Sequence, residues 1–138
     1  MPFVLIVDAN PIHAARAADV LSSAGHACGA VSSAEQAIAL LRWRVPALIL
    51  LDQAIPGADG GTLPHKLRRA ARVDDLPIIL LTTDCPAAPI GEAGNAVLDD
   101  IRKPFEPGFL AWRVENALEA RQAAVVVEEV PRELRWLA

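Results

Sequence analysis

The stretch Ala47-Leu-Ile-Leu-Leu-Asp52-Gln-Ala-Ile-Pro-Gly-Ala-Asp-Gly60 decides how the rest of the chain reads. Its apolar run, Ala47 to Leu51, follows Pro46 and has the length and continuity of a strand covered on both faces. A carboxylate, Asp52, stands where that strand must leave the sheet. Pro56, Gly57, Gly60 and Gly61 then supply turn chemistry before a new helical pattern begins.

The same alternation extends in both directions. Upstream, Phe3-Val-Leu-Ile-Val7 is a second short apolar run. Pro11 opens a helix whose Ala14, Ala17, Ala18 and Leu21 share one face and whose end falls at Gly25. His26 to Val31 reads as a weaker strand. Ser33, with Gln36 three residues on, opens a helix with Ala34, Ala37, Ile38 and Leu41 inward. Downstream, a helix places Leu63, Leu67 and Ala70 inward and Lys66, Arg68, Arg69 and Arg72 on a solvated face. Pro77 to Leu81 forms the fourth strand, Ala96-Val-Leu98 begins a weaker fifth, and a last helix from about Pro107 buries Leu110, Val114, Ala117 and Leu118.

Strands alternating with helices predict an α/β fold, a three-layer doubly wound (βα)5 parallel sheet. In such sheets chemistry collects outside the carboxyl ends of the strands. Asp8 ends strand one, Asp52 strand three and Thr82 strand four, while Lys103 follows strand five. A hydrophobic core has no use for four polar groups gathered on one edge.

These residues resemble the receiver domains of bacterial two-component response regulators. The matching pieces are Ile6-Val-Asp8 with Asn10-Pro11, Asp52 through Gly60, Pro77-Ile-Ile-Leu-Leu-Thr-Thr83 and Lys103-Pro-Phe105, in the family's order and spacing over roughly the first 120 residues. The resemblance implies a flavodoxin-like receiver topology. It also implies that Asp52 accepts a phosphoryl group from a histidine kinase or phosphotransfer protein. Lys103 and Thr82 would bind phosphoryl oxygens, and Mg²⁺ would be held by Asp8, Asp52 and the main-chain carbonyl of Ala54. By the same resemblance the Lys103-Pro104 bond is cis.

Several positions depart from that pattern. The usual pair of acids after strand one reads Asp8-Ala9, which weakens the implied Mg²⁺ site. Thr83 replaces a very small residue, and Asp100 stands where the switch aromatic is usual. Pro86, Pro89 and Gly91 predict a short or distorted fourth helix between strands four and five. Asp59 reads as the cap of the third helix.

Bulk properties narrow the function. A hydrophobic content of 53% argues against disorder. A net charge of −4 and the absence of Tyr argue against nucleic-acid binding. No apolar run reaches the ~20 residues of a membrane span, and no basic n-region precedes Asp8, so a cytoplasmic chain is expected. Cys28 and Cys85 fit a reducing compartment as isolated thiols. His13, His26 and His65 have no ligand spacing. Residues 1–122 form the expected receiver unit. Residues 123–138 form an extension that continues the last helix or contacts a partner, a homodimer included. Two other functions remain open: a phosphorylation-independent docking module, favoured by Ala9, and an aspartyl-nucleophile phosphatase. The latter class carries a second acid where this chain has Ala54, so no enzymatic activity is expected.

Overall fold

A computed structural model describes residues 2–58, 62–82 and 97–128. Its elements are β1 (Phe3–Val7), α1 (Pro11–Ser23), β2 (Ala27–Val31), α2 (Ala34–Leu41), β3 (Leu48–Asp52), α3 (Thr62–Ala71), β4 (Ile78–Thr82), β5 (Asp99–Arg102) and α4 (Pro107–Glu128). The strands form one parallel sheet in the order β2-β1-β3-β4-β5. The doubly wound architecture expected from the alternating patterns is therefore present. The expected fourth helix, Thr83, the Asp59 cap and residues 129–138 lie outside the described residues.

Side-chain alternation along each strand divides the apolar residues between two layers. Phe3, Leu5, Val7, Ile49, Leu51, Ile78 and Leu80 pack under α2 and α3 with Ala37, Leu41, Leu63 and Leu67. Val4, Ile6, Leu48, Leu50, Ile79, Leu81 and Ile101 pack under α1 and α4 with Ala17, Leu21, Leu110 and Val114. The continuous apolar runs of β1 and β3 are explained by this double coverage. Burying a Leu or Ile side chain fully contributes about 1.5–3 kcal/mol against the entropy of ordering the chain.

Local signals set the helix ends. The Asn10 side chain accepts from Ile12 N at 2.9 Å and His13 N at 3.2 Å, capping α1 one residue before Pro11. Ser33 Oγ accepts from Gln36 N at 3.2 Å, whereas Gln36 Oε1 reaches back to Ser32 N at 2.8 Å rather than to Ser33.

Three details differ from expectation. β5 begins at Asp99, not within Ala96–Leu98. Leu98 is exposed and enters the sheet only through its N–H, which donates to Ile78 O at 2.8 Å. An edge strand lacks a neighbour on one side, so its apolar residues need not coincide with its hydrogen-bonded ones. In α3 the residue that continues the buried row of Leu63 and Leu67 is Ala71, with Ala70 half-buried. Arg68, expected on a solvated face, folds its Nε onto Leu76 O at 2.9 Å. Burial lowers the pKa of its guanidinium, an effect partly offset by Asp75.

Candidate functional site

The alternation that sorts the core also positions the polar edge. Asp8 has the parity of Val4 and Ile6, Asp52 that of Leu48 and Leu50, and Lys103 that of Ile101. All three therefore emerge on the α1/α4 side of the sheet. The backbone remains tied down here: Asp8 N donates to Val31 O at 3.1 Å and Lys103 N to Thr82 O at 2.6 Å. The Lys103-Pro104 bond is cis.

Lys103 Nζ donates to Asp8 Oδ2 at 2.6 Å and to Asp52 Oδ1 at 2.9 Å. The three residues are 7%, 2% and 4% exposed, respectively. Charges this deep are tolerable only when paired and hydrogen-bonded. One ammonium shared by two carboxylates leaves a formal charge of −1 on the trio. Asp8 Oδ1 also accepts from Asn10 N at 2.9 Å, so both Asp8 oxygens are engaged by protein donors.

A further residue joins the cluster. His13 Nδ1 lies 3.1 Å from Lys103 Nζ. In sequence His13 has no ligand spacing to His26 or His65, and spacing between histidines carries no signal for it. The available signal was helical: His13, Ala17 and Leu21 follow one another at i, i+4, i+8, so His13 extends the buried row by one turn towards the strand ends.

The remaining candidates stand differently. Thr82 has the parity of Ile78 and Leu80. It meets Lys103 through its main-chain oxygen. Ala54 lies exposed in the turn after β3, and its carbonyl accepts no backbone hydrogen bond from a described residue. Ala9 is exposed and lines a cleft of about 390 Å³ together with Ala54, Gly57 and Lys66. No cluster of three or more His, Cys, Asp or Glu suited to a metal occurs among the described residues. Asp8 and Asp52 do not line that cleft; a cation held by these two carboxylates would complete its shell with main-chain oxygen and water, a donor set that suits Mg²⁺ better than a transition metal.

Residues 4–115 match the family profile of the response regulator receiver domain. The chain belongs to that family. The phosphate regulon transcriptional regulatory protein PhoB of Pseudomonas aeruginosa is 35% identical over 122 residues, covering 83% of this chain and 51% of that protein. Transcriptional regulatory protein BaeR of Escherichia coli is 34% identical over 123 residues, covering 85% of this chain and 48% of that protein. The signal receiver domain of a signal transduction histidine kinase from Syntrophus aciditrophicus superposes with a TM-score of 0.75 at 26% identity, over 87% of this chain and 92% of that one. The chain thus spans about half the length of the curated relatives it matches. Receiver domains are generally non-enzymatic signalling modules that bind Mg²⁺ in the active site and interact with histidine kinases or phosphotransfer proteins. No helix among the described residues is long and apolar enough to cross a membrane.

Proposed function

We propose that Asp52 is the phosphoacceptor of this receiver domain, taking a phosphoryl group from the phosphohistidine of a partner histidine kinase or phosphotransfer protein. The observation that carries this is the buried lysine shared by Asp52 and Asp8, with Nζ 2.9 Å and 2.6 Å from their oxygens. An oxygen of Asp52 attacks phosphorus, the P–N bond to the donor imidazole breaks, and its electron pair returns to the ring nitrogen. Phosphoryl transfer asks the protein chiefly for position and for neutralisation of oxygen charge. Lys103 supplies a fixed cation beside the acceptor oxygen, and the Thr82 hydroxyl, at the end of the neighbouring strand, would supply a donor for a second phosphoryl oxygen once it swings inward. Mg²⁺ held by Asp8, Asp52 and the Ala54 carbonyl would neutralise further charge when bound. The engagement of both Asp8 oxygens fits contact through water there.

The phosphorylated domain signals by protein contacts. Residues 1–122 form the receiver unit, and residues 123–138 form an extension that continues the last helix, which runs to Glu128, or contacts a partner or a second copy; sedimentation of the chain with and without that extension tests self-association. Incubation with Mg²⁺ and acetyl phosphate followed by intact-mass measurement tests phosphorylation, and a single phosphoryl adduct is expected. Ala9, exposed where a second acid is usual, favours one other function. Absence of both the adduct and a beryllofluoride complex would assign the fold to phosphorylation-independent docking.

A further inference from the structure

We propose that His13 is a positioning residue of the phosphoryl site, holding Lys103 in place while Asp52 changes from carboxylate to acyl phosphate. The proposal rests on the assignment of Asp52 as phosphoacceptor. A lysine ammonium has three donors and no acceptor. Lys103, 7% exposed, finds three acceptors: Asp8 Oδ2 at 2.6 Å, Asp52 Oδ1 at 2.9 Å and His13 Nδ1 at 3.1 Å. Because the ammonium can only donate, His13 Nδ1 must carry the lone pair. The ring is then neutral, with its hydrogen on Nε2.

The connections around His13 form a closed circuit that does not pass through Asp52. Lys103 Nζ donates to Asp8 Oδ2, and Asp8 Oδ1 accepts from Asn10 N at 2.9 Å. Asn10 Oδ1 accepts from His13 N at 3.2 Å, and His13 Nδ1 returns to Lys103 Nζ. The circuit ties the lysine head to the first turn of α1, whose start is fixed by the Asn10 cap. Lys103 is thus held from two sides by groups that transfer leaves chemically unchanged. Its third bond, to Asp52, is the one that must be exchanged. When Asp52 becomes an acyl phosphate it loses its carboxylate charge, and the donor aimed at it passes to a phosphoryl oxygen.

Imidazole suits this role because it accepts a hydrogen bond without adding charge. A carboxylate at the same place would compete with the incoming phosphoryl group for the lysine, whereas a neutral acceptor anchors it and leaves the local balance of two carboxylates and one ammonium unaltered.

Long-range ¹⁵N–¹H correlation of the imidazole in the full chain reports the ring state directly. A His13 ring that carries its hydrogen on Nε2 and none on Nδ1 is expected, and a ring bearing hydrogen on Nδ1 overturns the proposal. Beryllofluoride with Mg²⁺ then serves as the phosphoryl mimic. His13→Ala should weaken its uptake about ten-fold, the scale of one hydrogen bond to a charged group. His13→Asn, whose amide oxygen can occupy the Nδ1 position, should restore most of it, and His65→Ala on the exposed face of α3 should leave it unchanged. Unaltered uptake by a folded His13→Ala chain, or no rescue by His13→Asn, overturns the positioning role while leaving Asp52 as acceptor. Failure of the wild-type chain to take up beryllofluoride overturns the phosphoacceptor assignment itself, and this proposal with it.

Discussion

Replacing Lys103 by Met roughly keeps the side-chain volume and removes the ammonium with its charge and donors, so the cost of losing the shared cation is isolated from that of a cavity. Asp8 and Asp52, 2% and 4% exposed, would then face each other without a counter-charge. Removing one partner of a buried ion pair typically costs about 3–5 kcal/mol, and exposure this low leaves little water to screen the loss. For a chain of 138 residues that corresponds to a drop in Tm on the order of 10–20 °C. Urea unfolding followed by circular dichroism at fixed pH and salt measures it. The decisive arm is the double variant. Adding Asp8→Asn to Lys103→Met removes one of the two stranded charges and should recover about 1–3 kcal/mol, although Asp8→Asn in the wild-type background is itself destabilising. A Lys103→Met chain within about 1 kcal/mol of wild type, or a double variant whose losses simply add, would refute the electrostatic account of the site.

Three further outcomes are expected. Ala9→Asp, which places a carboxylate at the exposed mouth of the cleft beside Ala54, should raise Mg²⁺ affinity several-fold in a calorimetric titration; unchanged affinity contradicts the view that this position limits the metal site. Asn10→Ala removes the acceptor for Ile12 N and His13 N and should cost about 1 kcal/mol in urea unfolding, with no measurable cost as the contrary result. Burial raises the pKa of the Cys28 thiol more than its hydrogen bond with Ser22 lowers it, which keeps the reactive thiolate scarce. Peptide-resolved alkylation at neutral pH should therefore be slower at Cys28 in the native chain than in urea, and equal rates would contradict this.

The layers of the fold were legible because the strands covered on both faces, β1, β3 and β4, leave continuous apolar runs that composition alone exposes. The same logic failed at the edge: β5 carries Asp99 and Asp100, and its ladder begins after the apolar residues that suggested it. Asp8, Asp52 and Lys103 could be found in sequence because each ends a strand or directly follows one, and the structure brings all three together. His13 could not be found by looking for ligands. Its position depends on the helical row it shares with Ala17 and Leu21 and on the Asn10 cap that fixes where α1 begins. The inward turn of Arg68 is not legible in sequence because charge on a helix face says nothing of a main-chain oxygen, Leu76 O, beyond the helix's end.

Locating the phosphoryl group tests the central claim most directly. The chain is treated with acetyl phosphate and Mg²⁺, the acyl phosphate is trapped by borohydride reduction, and the product is sequenced by peptide mass spectrometry. Conversion of Asp52 to homoserine, absent from an Asp52→Asn control, is the expected result. Modification at Asp8 instead, or none at Asp52 in a chain shown to be folded, would contradict it.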